Sequence, residues 1–103
     1  MRRKIRLPAL LKDLSAGRIV PLAAGNWIEL AAAFPVVERI ATGLAGDILL
    51  VRWPAAADRR AAGWALIEAP DPNERVVRPL ADEKTARALI ADRLAAYDRM
   101  WDG

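Results

Sequence analysis

The side chains that run reactions are scarce in this chain, and their spacing says what chemistry is open to it. It has 103 residues, with no Cys and no His, and Ser15 is its only serine. A serine nucleophile needs a base spaced to activate it, and none stands near Ser15, which reads as a solvated helix residue. Thr42 and Thr85 read as strand-end and first-turn residues. Glu38 and Glu68 could approach each other across a sheet as an acid and base pair, but sequence spacing alone does not bring them together. Asp71 lies between prolines, and Asp98 and Asp102 close the chain, so no clustered oxygen site for calcium or magnesium is suggested. The glycines at 17, 25, 43, 46 and 63 match neither a P-loop nor a GxGxxG turn. Thiolate and imidazole metal sites are excluded by composition. The expectation is a non-catalytic protein with no cofactor and no metal.

Recognition chemistry is better represented. Four tryptophans, Trp27, Trp53, Trp64 and Trp101, stand beside one Phe and one Tyr, and thirteen of the sixteen positive residues are arginine. Tryptophan with arginine is the pairing enriched at binding hot spots, because both give large, oriented contacts. Arg52 and Arg60 lie close in sequence to Trp53 and Trp64, although rings that simply fill a small core explain most of these tryptophans. Trp101, in the last turn of a helix, must dock on the body or on another molecule and is the first choice for an interface anchor. Arg93 projects from within an apolar helical arc. It is expected to snorkel to the rim, the alternatives being a pair with Glu38 or Glu68 or contact with a partner. Trp53, Trp64, Arg93 and Trp101 are therefore the candidate partner-binding residues.

A second function class rests on charge. Arg2, Arg3, Lys4 and Arg6 form a basic amino-terminal arm over residues 1–6. Residues 7–103 carry twelve Lys or Arg against thirteen Asp or Glu, so the body is close to neutral and the arm accounts for the formal net charge of +3. Such an arm could bind nucleic acid through phosphate contacts, aided by Arg52, Arg59, Arg60, Arg75 and Arg78 with Trp53 or Trp64 available for stacking. Glu38, Asp47, Glu68, Asp71 and Glu74 in the same region would oppose a polyanion. A solubilising tail is the simpler account of the arm.

The elements that must position these residues follow from length and pattern. A chain of this size suits one domain and can bury roughly 60–70% of its unfolded surface. Its 54% hydrophobic content and low net charge rule out a disordered composition. No run reaches the 18 apolar residues of a membrane span. Lys12 and Asp13 interrupt the apolar run after the basic start, so no cleavable leader is expected and the reading is cytoplasmic.

Residues 8–16 predict a short amphipathic helix with Pro8 in its first turn and Gly17 at its end. Residues 18–22 look extended, with Pro21 confining them to a sheet edge or outside it. Asn26 and Glu29 have capping-box spacing, which predicts a second short helix from Trp27 to about Ala33, ended by Pro35. Four strands then follow: Val36 to Thr42, Asp47 to Trp53, Gly63 to Glu68, and Glu74 to Pro79. Gly43 to Gly46 would make the first hairpin, Pro54 to Ala62 a loop, and Pro70 to Asn73 a tight turn. Asp82 caps a long helix from Glu83 to about Trp101 whose apolar arc includes Ala86, Leu89, Ile90, Leu94 and Trp101.

The expected architecture is a single α+β domain over residues 7–103. In it an antiparallel four-strand meander packs against a long C-terminal helix, with two short N-terminal helices before it. One sheet face would be left open, although Ile48 to Val51 is apolar on both alternating sides and asks for a cover on each. The function that fits is protein binding, most simply self-association into a homo-oligomer through an apolar sheet face or the terminal helix. Nucleic acid is the alternative partner, and no membrane contact is expected.

Overall fold

A computed structural model of the chain describes residues 4–40, 47–53 and 63–102, with side chains described as far as residue 96. The first hairpin connection, the Pro54 to Ala62 loop, Arg2, Arg3 and the Trp101 side chain lie outside these described residues. The fold is α+β: a five-stranded antiparallel sheet with three α-helices, the last at the C-terminal end.

Helix α1 spans Leu7–Ser15 and buries Leu10 and Leu14. Its end is set by Gly17, at φ +80°, where a side chain would strain the backbone. There the Gly17 N–H donates to the Leu14 carbonyl and the Arg18 N–H to that of Asp13, each at 3.0 Å, the paired bonds of a Schellman ending.

Strand β1, Val20–Ala23, follows at once. It joins the far side of the meander and makes the sheet five-stranded rather than four-stranded, in the order β1-β5-β4-β3-β2. It forms one edge of the sheet, where Pro21 is tolerated because an edge strand can do without one ladder donor.

Helix α2 spans Ala24–Leu30 and continues as a 3-10 turn over Ala31–Ala33. It starts three residues earlier than the capping-box spacing predicts. Asn26 lies inside the helix and caps nothing, because its amide serves a different backbone segment: Oδ1 accepts from the Ile5 N–H at 2.8 Å and Nδ2 donates to the Ile5 carbonyl at 3.0 Å. Glu29 instead forms an ion pair with Lys4. Both contacts tie the amino-terminal segment to α2.

The meander consists of β2 (Val36–Ile40), β3 (Ile48–Trp53), β4 (Gly63–Asp71) and β5 (Glu74–Leu80). All neighbouring strands are antiparallel, with Leu50 opposite Leu66 and Leu49 opposite Ile67 at the centre. A bulge interrupts β2 between Val36 and Glu38. At the β4–β5 turn the Asp71 carboxylate accepts the Asn73 N–H at 2.7 Å, the local bond that Asp favours in tight turns.

Helix α3 spans Glu83–Asp102 and is about 30 Å long at 1.5 Å per residue. Asp82 caps it, with Oδ1 accepting the Thr85 N–H at 2.7 Å. That bond, joined by one from the Thr85 hydroxyl, holds the Asp82 carboxyl below its usual value of 3.8. A depressed folded pKa means that the cap is intact above the unfolded value and is lost as pH falls through the lower one. Amide protection in the first turn of α3 should therefore drop between pH 6 and pH 2. Asp82→Asn, which caps without titrating, should remove that drop; an unchanged drop would separate it from the cap.

Both faces of the central strands are covered, so the wholly open face expected from the sequence is not found, while edge strand β2 stays exposed from Val36 to Arg39. Alternation along β3 sends Leu49 and Val51 into a core with Leu10, Leu14, Leu22, Trp27, Phe34, Ala65, Ile67 and Val77, beneath α1 and α2. Ile48 and Leu50 point the other way and join Leu66, Ala86 and Ile90 under α3. The doubly apolar strand is the central element of a three-layer sandwich. Each fully buried Leu or Ile contributes about 2 kcal/mol through apolar burial.

Candidate interaction surface

The tryptophans divide between the two layers. Trp27 is buried, with its ring centroid 5.3 Å from that of Phe34. Trp53 lies half-buried against the core under α1 and α2, and its indole N–H donates to the Trp64 carbonyl at 3.2 Å. Its ring also occupies the space where a side chain on Gly63 would be. Trp64 packs on the α3 side, with the Arg52 guanidinium 4.6 Å from its ring centroid. A stacked guanidinium screens that ring from a partner while keeping its own charge in water. The structure thus gives Trp53 and Trp64 internal contacts. The backbone of Trp101 is in the last turn of α3.

The charged candidates are also engaged. Arg93 does not snorkel freely; its Nε donates to Glu68 Oε2 at 3.0 Å, and Arg78 Nε donates to Oε1 of the same carboxylate at 3.2 Å. Glu38 accepts from Arg87, which also binds Glu83, so the two glutamates considered as an acid and base pair each face arginine. Both carboxylates hold the Arg87 guanidinium above its usual pKa, the Glu38 hydrogen bond contributing most. Arg39 pairs with Asp47, and Arg18 with Asp13. Lys4 is exposed but paired to Glu29, while Arg6 is exposed at the start of α1. Arg75 donates to the backbone carbonyls of Asp71, Pro72 and Glu74. Among the described residues no three carboxylate or other ligating side chains gather as a metal site.

What the fold leaves open lies elsewhere. Ile28 is 72% exposed, Val36 48% and Val37 44%, beside cores in which comparable side chains are almost fully covered. Ile28 on α2 and Val36 on β2 line one shallow groove of about 280 Å³. Trp27, Ala31 and Leu49 add apolar wall, and Arg39, Asp47 and Arg75 stand around it. The groove crosses this face of the sheet from Arg75 on β5 past Leu49 on β3 to Val36 and Arg39 on β2, whose edge the bulge and the charges of Glu38 and Arg39 partly blunt.

Attention to the large aromatic residues overlooks this surface. Its one sequence signal is Val36-Val37, two adjacent apolar residues in a strand, which cannot both face the same core without a bulge.

No helix among the described residues is long and apolar enough to cross a membrane. Comparisons with protein-family models, curated proteins and solved structures found no match.

Proposed function

We propose that this domain is a non-catalytic, cytoplasmic protein-binding module that self-associates through the groove between α2 and β2. The observation that carries the reading is that exposed Ile28 and Val36 line one concavity, to which Trp27, Ala31 and Leu49 add apolar wall. A second copy is the chosen occupant because the groove carries both members of an exposed ion pair beside its apolar wall. Arg39 and Asp47 pair with each other within one copy at 3.4 Å, and a two-fold axis would let the Arg39 of each copy exchange onto the Asp47 of the other.

The test is light scattering or sedimentation across a concentration series. The wild type should show reversible assembly in the micromolar range or above. Ile28→Asp combined with Val36→Asp should weaken assembly by about 100-fold or more, since two apolar anchors worth about 1.5 kcal/mol or more each would be lost. Because both side chains are exposed, the melting temperature of the monomer should change little. A wild type that stays monomeric at several hundred micromolar would remove the proposal.

Nucleic-acid binding by the arm remains the competing reading, supported by exposed Arg6 and the adjacent arginines. Deleting residues 1–6 would also remove Ile5, which Asn26 holds, so Arg2→Ser, Arg3→Ser and Arg6→Ser together make the cleaner probe. Salt-sensitive DNA or RNA binding lost in that triple variant would favour the alternative.

A further inference from the structure

Beyond self-association, and on the opposite side of the sheet from the groove, we propose a binding site for a short aliphatic carboxylate beside the Arg78–Glu68–Arg93 cluster. Glu68 is the central group of the cluster, its side chain only 14% exposed, and each of its oxygens accepts one arginine Nε. Two guanidinium groups around one carboxylate leave an excess positive charge. The other described ion pairs differ: Lys4, Arg18 and Arg39 each face one carboxylate, and Arg87 faces two.

The excess charge has donors to act through. Neither arginine makes a further hydrogen bond through its Nη groups among the described residues, and no described side-chain nitrogen is both buried and unpaired. Those N–H groups therefore reach solvent. The shared carboxylate meanwhile restrains both side chains, lowering the entropy lost when they bind a further anion.

The cluster borders a concavity. Glu68, Ala69, Pro70, Val76 and Arg78 line an open pocket of about 230 Å³, large enough for a ligand of a few heavy atoms. Val76, Pro70 and Ala69 give it aliphatic wall, and Arg78 and Glu68, joined through the Arg78 Nε, give it a charged one, with the Arg78 Nη groups left to act as the fork. Planar carboxylates match that fork in two parallel N–H···O bonds, while a branched or short alkyl group fits the wall. Such a group occurs in a free small acid and in the last residue of a chain ending in Val or Ala, and the chemistry of recognition is shared.

NMR titration of the whole chain at constant ionic strength tests this, with isobutyrate as probe and isobutyramide as its neutral match. Isobutyrate should shift the backbone amides of Glu68, Ala69, Val76 and Arg78 and saturate with a Kd on the order of millimolar, as expected for so small a ligand. The neutral amide should bind at least tenfold more weakly. Arg78→Met should cost tenfold or more, and Arg78→Lys, which keeps the charge but not the fork, should cost several-fold. A peptide ending in Val with a free carboxylate, set against its amidated form, distinguishes a chain terminus from a free acid, and saturable binding of either acid supports the site. The proposal fails if neither acid saturates, if chloride reproduces the same shifts, or if a folded Arg78→Met variant binds unchanged. Should Arg78→Met not fold, the acid and amide comparison on the wild type decides by itself.

Discussion

Gly63→Ala should destabilise the domain by about 3 kcal/mol, more than a single methyl in a strand normally costs, lowering the melting temperature by about 10–20 °C. The cause is local and steric. A Cβ on Gly63 would fall inside the Trp53 indole, against its ring carbons and nitrogen, where no real contact exists. Trp53 cannot swing away freely, because its N–H is bonded to the Trp64 carbonyl and its ring packs on the core under α1 and α2. Moving it would break that bond and open a void as well. Gly63 also faces Trp53 directly across the β3–β4 ladder, so backbone relief would disturb the pairing of both strands. A double-mutant cycle supplies the discriminating measurement. In a Trp53→Ala background the added methyl has room, and Gly63→Ala should then cost less than 1 kcal/mol. If the two changes prove additive, the ring and the glycine do not compete for the same space.

That contact also shows why the tryptophans could not be assigned from sequence. Trp plus neighbouring Arg describes a binding hot spot and an internally satisfied ring equally well. The difference lies in cross-strand register, since Arg52 stands opposite Trp64 and Trp53 opposite Gly63. The β3–β4 pairing itself runs without a register shift, and residue types alone do not say which of these residues stand opposite one another; the bulges fall on the neighbouring pairs, at Val36 to Glu38 and at Glu68 to Asp71. The first was hidden in an ordinary β-branched run, and the second lay beside a proline-rich turn. The exposed groove was equally hard to foresee, because Ile28 is apolar and sits next to a buried tryptophan. Only the orientation of α2 on the sheet puts it outside.

Other elements were legible because one local rule decided them. Gly17 ended α1 through a positive φ that few residues accept, and Asp82 found the Thr85 amide three residues ahead. The apolar arc of α3 correctly placed Ala86 and Ile90 against the sheet. Ile48 to Val51 asked for two covers, and the fold provides them, even though the N-terminal helices look too short on paper to act as a layer. What the pattern could not show was that β1 would reach across to β5, because that pairing joins segments more than fifty residues apart. The same limit hid the role of Asn26. A side chain three residues before a glutamate looks like a cap until the distant segment that uses it is in place.

Asn26→Ala should cost about 2–3 kcal/mol, the second largest effect expected from a single substitution outside the apolar core. The amide is 8% exposed, and its two hydrogen bonds satisfy both the donor and the acceptor of Ile5, as a neighbouring strand would. Alanine leaves both backbone groups part-buried without a protein partner, and Ile5 loses the contact that seats it on the core. Asn26→Asp separates donor from acceptor at almost constant volume. An ionised carboxylate can accept from the Ile5 N–H but sets negative charge against the Ile5 carbonyl, so at pH 7 it should be at least as damaging as alanine. Protonation restores a donor. The folded pKa of the introduced acid is therefore raised above its unfolded value, and its stabilising contribution is present below about pH 4 and lost as pH rises through the folded value. Chemical denaturation at pH 7 and pH 4, each referred to the wild type at the same pH so that the Asp82 cap cancels, should show the penalty of Asn26→Asp shrinking on acidification while that of Asn26→Ala stays constant. Equal penalties at both pH values would mean that the Nδ2 donor contributes nothing, leaving acceptance from the Ile5 N–H as the whole of the attachment.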